Sequence, residues 1–304
     1  MICDIQGALK IDLPEKHQDI VTAYNTEWDE INGQGWEIKN FINLTKDKKT
    51  LYDVGSNVGF FSFVFCLNNN ANNIKKSFAF EPNMEGLCAC VDVLNLNEWH
   101  DRVRLFPIFL GEKNGQKEFL VEEGKTFVVK FDRTSENHKI VSRGKRGFIE
   151  MRTIDDFSWL VEMGGEGELE IELLYDTADG EKVRIKTGEF QQTETHDLDT
   201  LKIDVEGYEH KVLVGAEKTI NKHNPLLFLE IHGHLLKLYN NTIFDVYNIL
   251  NDYKYKIFDI HMKEIKSKEQ YAWMFSYMSG SRLSQELARA TINDAVIRVI
   301  CRRD

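Results

Sequence analysis

Residues 51–63 read LYDVGSNVGFFSF. The apolar pair Leu51-Tyr52 runs into Asp53, two glycines follow four residues apart at Gly55 and Gly59, and the chain resumes at once with Phe60-Phe61. A buried strand that stops at an acid and restarts as an apolar helix makes a tight turn, holds a ligand at the strand end, or does both. Glycine has no Cβ, so it permits the sharp turn and the close approach of a ligand alike.

The flanking sequence repeats the pattern. SFAFEP (77–82) is a second buried strand, Met84, Leu87, Cys88, Val91 and Leu94 form a helical stripe, and VRLFPIFLG (103–111) is a third strand. Strands alternating with helices predict a parallel sheet with helices on its faces. Right-handed crossovers then bring the strand ends to one edge. The middle differs: KEFLVEEGKTFVVKF (117–131) reads as a hairpin. LEIEL (169–173) and VRIKT (183–187) alternate apolar with charged residues around Ala178-Asp179-Gly180, so about 161–197 reads as a β-rich insertion. The alternation returns with a strand and helix over 200–220, a strand over 225–233, a helix over 242–252 and a strand over 255–260. Residues 295–303 give a last strand, expected at an edge or antiparallel. Residues 17–44 carry amphipathic helical spacing. An N-terminal helical segment (1–48) followed by one domain (49–304) is therefore expected.

Composition narrows the class. The 304 residues carry a formal net charge of −11 and are 42% hydrophobic. That balance supports a sizeable core and argues against nonspecific binding to nucleic acid. The basic spots Arg143-Gly144-Lys145-Arg146 and Arg302-Arg303 read as solvated surface. No apolar run approaches the ~18 residues of a membrane span, and no secretory signal is legible. Five scattered cysteines fit a reducing cytoplasm better than a disulfide framework, and the stripe places Cys88 in a core rather than on a metal.

Four predicted strands end in acids: Asp53, Glu81, Asp204 and Glu230. Ligands of open α/β sheets bind beyond the carboxyl ends of the strands, so the four are expected to face one crevice. Glu81, at the end of the strand next to Asp53, is placed to accept both hydroxyls of a ribose. The dinucleotide fingerprint G-x-G-x-x-G is absent, because Asn57 and Phe60 stand where two of its glycines would be. No phosphate-cradling G-x-x-x-x-G-K-[ST] occurs either. A ribose-bearing ligand without phosphates is favoured, and S-adenosylmethionine (SAM) is the candidate.

DVGSNVGFFS (53–62), FAFEPN (78–83), TIDDF (153–157), LKIDVEGYEHKVLVGAEKTI (201–220) and LFLEIHG (227–233), in that order, resemble the FkbM-type SAM-dependent methyltransferases. The likeness runs over about 50–260, and the KIDVEG element with its following VL and GA is its specific part. It implies a Rossmann-like class I methyltransferase fold: a seven-stranded, mostly parallel sheet with helices on both faces. It also implies methyl transfer from SAM to a hydroxyl of a sugar or small molecule. By this resemblance Asp53, Gly55, Asn57 and Gly59 line the methionine part of the cofactor, and Glu81 takes the ribose hydroxyls. Pro82 and Asn83 flank the adenosine, Asp204, Glu206 and Gly207 sit beside the reactive methyl, and Glu230 and His232 face the acceptor. The segment between TIDDF and LKIDVEG is longer than the family pattern, and the stretch after 265 has no counterpart in it.

An alcohol needs a positioned base. His232 is favoured, as an imidazole neutral near pH 7 and tuned by Glu230; Asp204 is the other candidate. A divalent ion on His232, His234, Glu230 and Asp204 is an alternative, and no metal is assigned. A SAM-binding module without catalysis, a methyltransferase for nucleic acid ribose or protein, and a dehydrogenase are the competing functions.

Overall fold

The structure is a computed structural model. It describes residues 2–5, 7, 9–14, 34–68, 75–122, 125–128, 145–157, 173–176, 182–185, 197–278 and 296–303. The expected N-terminal helical segment opens instead with a hairpin. Strands β1 (Ile2–Ile5) and β2 (Leu9–Asp12) pair antiparallel, and helix α1 (Gln34–Leu44) follows. Residues 15–33, part of the expected helix, lie outside the described residues. Ile5, Ile11 and Leu13 of the hairpin and Ile38 and Phe41 of α1 are buried in the same core as the main sheet. The segment is thus part of the body of the fold.

The expected alternation follows: β3 (Thr50–Val54), α2 (Phe60–Leu67), β4 (Lys76–Phe80), α3 (Met84–Asn97) and β5 (Val103–Phe106). The predicted third strand breaks at Pro107, which has no N–H to offer a ladder. Beyond it β6 (Phe109–Leu110) leaves the main sheet for a second one, with β7 (Gly115–Glu122), β8 (Lys125–Val128) and β9 (Lys145–Arg152), ordered β6-β9-β7-β8. β7 and β8 form the hairpin expected over 117–131. Within the expected insertion, β10 (Leu173–Asp176) and β11 (Lys182–Ile185) pair antiparallel; the remainder of 161–196 lies outside the described residues.

The chain returns to the main sheet with β12 (Thr200–Ile203), α4 (Glu209–Val214), α5 (Glu217–His223) and β13 (Leu226–His232). The short α6 (Gly233–Leu236) leads to α7 (Ile243–Asp252). β14 (Lys256–Phe258), β15 (Glu264–Ile265), α8 (Lys268–Met278) and β16 (Val296–Arg302) complete it. The sheet has eight strands in the order β15-β14-β16-β13-β12-β3-β4-β5, one more than expected because of the two-residue β15. β5, β4, β3, β12 and β13 are mutually parallel. β16 runs against both β13 and β14, as expected of the last strand, but in the interior of the sheet.

Strand alternation sends side chains to two cores. Tyr52, Val54, Leu201, Ile203, Leu229 and Ile231 face α4, α7 and α8, whose Leu213, Val246 and Phe275 are buried there. Leu51, Ala79, Phe228 and Ile300 face α1, α2 and α3. In α3 the buried stripe is Leu87, Cys90, Val93 and Leu94. Cys90 rather than Cys88 is the core cysteine, and all five cysteines are free. Among the described residues no helix is long and apolar enough to cross a membrane.

Candidate functional site

The parallel strands end along one rim, as their shared direction requires. The turn after β3 lies against the turn after β12: Gly55 N–H and Ser56 N–H donate to the Phe80 carbonyl (2.9 and 3.1 Å), and Asp204 N–H donates to the Val54 carbonyl (2.9 Å). Gly55 has φ +76°, and a Cβ there would stand 1.7 Å from the Asp204 carbonyl oxygen. Gly55→Ala is therefore expected to destabilise the protein by about 2–5 kcal/mol, from left-handed strain plus forced separation of two strand ends. Urea unfolding measures it, and an unchanged midpoint would contradict the packing.

A cleft open to solvent lies over this rim. Val54, Gly55, Asn57, Phe80, Glu81, Pro82, Asn83, Ile108, Phe109, Leu110, Asp204, Val205 and Glu206 line it. Of the four strand-end acids, only Glu81 and Asp204 reach the wall. The Glu81 carboxylate accepts from two backbone amides, Asn57 N–H on Oε2 (2.8 Å) and Asn83 N–H on Oε1 (2.7 Å). Burial pushes its proton affinity up to about 7 against the pull of those donors.

Asp53 and Gly59 do not line the cleft. Asp53 Oδ2 turns back under the loop and accepts from Ser62 N–H (3.1 Å) and Ser62 Oγ–H (2.7 Å), fixing the start of α2. Gly59 (φ +79°) faces α3, where a Cβ would meet Cys90 Sγ at 2.6 Å. Both shape the loop from behind.

Below the cleft the α1–α3 face of the sheet becomes charged. Lys202 is the register partner of Asp53, and Glu230 of Arg298. Lys202 Nζ donates to Asp204 Oδ2 (3.2 Å) and lies 4.3 Å from the centre of the Phe61 ring. Burial would raise the Asp204 carboxyl, but Lys202 first, then His232 and Arg298, outweigh it and hold it below its usual range. Arg298 Nη2 donates to Glu230 Oε1 (2.8 Å), and its Nε lies 3.1 Å from Glu37 Oε2 on α1. Glu37 and Glu230 are both held above the usual carboxylate range, chiefly by burial. Glu230 is thus bound to a guanidinium rather than presented to the cleft.

His232 is the last residue of β13, so it projects on the same side as Glu230 and is 3% exposed. Its Nδ1 lies 2.8 Å from Glu209 Oε1. Its Nε2 is ringed by Glu206 Oε2 (3.4 Å), Glu230 Oε1 (3.8 Å) and Asp204 Oδ1 (4.0 Å). Burial would lower its proton affinity. The bond to Glu209, and then the charges of Glu209, Asp204 and Glu206, outweigh burial and push it up to about 9. The surroundings thus favour the charged ring near pH 7, where the neutral form was expected. Donor atoms of Asp204, Glu230 and His232 lie within 4.8 Å of one another, but Lys202 and Arg298 already compensate the two acids.

Sequence reasoning missed Lys202, Glu209, Arg298 and Glu37. Lys202 and Arg298 left a signal, a cation in the middle of an apolar strand (TLKI, VIRVICR). Glu209 stands five residues after Asp204 at the start of a helix. Glu37 lies on a helix far outside the motifs.

Among solved structures, a methyltransferase FkbM from Methylobacillus flagellatus KT aligns at 16% identity and TM-score 0.36, over 80% of this chain and 55% of its own. This chain therefore spans just over half the length of that relative. A precorrin-6y C5,15-methyltransferase from Geobacter metallireducens GS-15 aligns at 11% identity and TM-score 0.36, over 86% of each chain. The O-methyltransferase of a trans-AT PKS multienzyme of Brevibacillus brevis, in complex with S-adenosyl-L-homocysteine, aligns at 8% identity and TM-score 0.37, over 100% of this chain and 84% of its own. No curated protein matches the chain. The family model described as the methyltransferase FkbM domain matches residues 53–257, more than half of the sequence, and the chain belongs to that family.

Proposed function

We propose that this methyltransferase uses SAM and transfers its methyl group to a hydroxyl of a sugar or small molecule. The observation that carries the reading is Glu81, a carboxylate on the cleft wall aimed by two backbone amides. Phe80, Pro82, Ile108, Phe109 and Leu110 supply an apolar wall to the same cleft. A ribose diol offers two donors and an adenine a flat apolar face, so an accepting carboxylate beside an apolar wall fits an adenosine. When bound, SAM supplies an electrophilic methyl on a sulfonium. Glu81 would hold the ribose hydroxyls, with Pro82 and Asn83 beside the adenosine. The backbone at Gly55 and Asn57 would face the methionine part, and Asp204 and Glu206 the reactive end.

His232 does not line the cleft itself, and in this reading it is the base that draws the proton through Asp204 or Glu206, which do. Its proton is held by the surrounding carboxylates, so only the deprotonated fraction accepts another. Turnover is expected to rise about tenfold per pH unit from pH 7 and to level near pH 9. A rate flat across that range would shift the base assignment to Asp204. His232→Asn is expected to lower kcat about 10²–10⁴-fold while leaving SAM affinity within a few-fold. Calorimetry with SAM, S-adenosylhomocysteine and NAD tests the cofactor. Transfer of a radiolabelled methyl group to a panel of glycans and small alcohols tests the reaction. Binding of NAD in preference to SAM would overturn the reading, and SAM binding without transfer to any panel member would favour a non-catalytic SAM-binding module.

A further inference from the structure

We propose that Glu209 is a positioning residue: it holds the His232 ring with Nδ1–H directed at itself and Nε2 directed at the carboxylates of the cleft. The ring-holding role stands on geometry alone; its kinetic consequence rests on the methyl-transfer reading above.

Glu209 opens α4 and is fully buried, 0% exposed. Its Oε1 accepts from Gly207 N–H (2.9 Å) and faces His232 Nδ1 (2.8 Å). One carboxylate oxygen thus ties the β12–α4 turn to the end of β13. Its other oxygen, Oε2, is buried with no hydrogen-bond partner among the described residues. A buried carboxylate with half its acceptor capacity unused is an expensive way to pack a helix start, and an apolar side chain would do that more cheaply. What a carboxylate adds is a fixed acceptor for one ring nitrogen. That bond selects the tautomer and leaves Nε2 as the atom free to exchange a proton.

The groups facing the ring come from several elements, and the His234 ring of α6 lies beside it, 6.3 Å between ring centres. Glu209 comes from α4, Asp204 and Glu206 from the turn after β12, and Glu230 from β13 with Arg298 of β16 bound to it. Asp204 and Glu206 line the cleft and Nε2 lies behind them, whereas Glu209 stands on the far side of the ring. Glu209 therefore acts through His232. In the proposed step the acceptor hydroxyl gives its proton to the Asp204 or Glu206 carboxylate that stands between it and Nε2, that carboxylate passes a proton on to Nε2, and the oxygen pair so freed forms the bond to the methyl carbon. The carbon–sulfur pair stays on sulfur. The site begins and ends with one added positive charge, first on the sulfonium and then on the ring, and Glu209 holds the second.

The test is Glu209→Gln, read first by NMR of the ligand-free, full-length protein with ¹⁵N-labelled histidine. Wild-type His232, once neutral, is expected to carry its proton on Nδ1. The variant is expected to lose that fixed tautomer and to titrate about one to three pH units lower. The rising limb of kcat against pH is expected to move down with it, and Glu209→Asp to restore part of the shift. A variant of lowered melting temperature with unchanged His232 titration and tautomer would overturn the proposal and leave Glu209 a structural residue. A moved titration with an unmoved kinetic limb would keep the ring-holding role and overturn His232 as the base. The NMR arm needs no turnover, so failure of the methyl-transfer reading leaves it intact.

Discussion

Glu81→Ala is expected to weaken SAM binding at least about 100-fold. Two hydrogen bonds from ribose hydroxyls to a carboxylate are worth about 1.5–3 kcal/mol each, and every 1.4 kcal/mol is tenfold in affinity. The substitution also releases the Asn57 and Asn83 amides that Glu81 holds at 2.8 and 2.7 Å, so the loop and the start of α3 lose their common anchor. Calorimetric titration of the variant reads the effect directly; affinity within threefold of the parent would remove Glu81 from the cofactor site. The pH dependence gives a second check. Burial holds the Glu81 proton up to about 7, and hydroxyl donors favour the ionised form. Binding must then release a proton, so affinity is expected to rise with pH through 7 and level above it. Glu81→Ala should flatten that profile.

Arg298→Met is expected to destabilise the protein by about 3–5 kcal/mol, because it strands two buried carboxylates, Glu37 and Glu230, without their shared cation. For a chain of this size that is a fall of about 5–8 °C in melting temperature. Burial already holds both carboxyls above the ordinary carboxylate value of 4.5 in the folded state. Below that value both states are protonated and the acids carry no penalty. As pH rises the unfolded chain ionises freely while the folded site resists. Stability contributed by these acids is therefore lost upward in pH, and the deficit of the variant should be larger at pH 9 than at pH 5. Thermal melts across that range measure it. A deficit below 1 kcal/mol at pH 9 would mean that the guanidinium does not compensate both acids. Arg298→Lys, which keeps the charge but not the fork that reaches two carboxylates, should fall between.

Much of the fold was legible because it is written locally. Apolar runs of strand length, helical stripes between them and acids at the strand ends identified the parallel sheet. Pro107 in VRLFPIFLG was equally visible, yet its consequence was not. A missing N–H says that a ladder cannot continue, not that the next residues, Phe109–Leu110, join a different sheet. The hairpin at the start escaped because four-residue strands such as Ile2–Ile5 are too short for a period to declare itself.

The sequence by itself determined the βα order, the glycine turn after Thr50–Val54 and the presence of acids at the rim, since each depends on neighbours in the chain. Only the tertiary structure decided which acids reach the cleft. Asp53 turns to Ser62 nine residues on, whereas Glu230 meets Arg298 sixty-eight residues away. It also decided that the surroundings of His232 favour its charged form, because the carboxylates around it come from two strand ends and a helix start. Proton affinity is set by distance in space, and strand register, not proximity along the chain, fixes those distances.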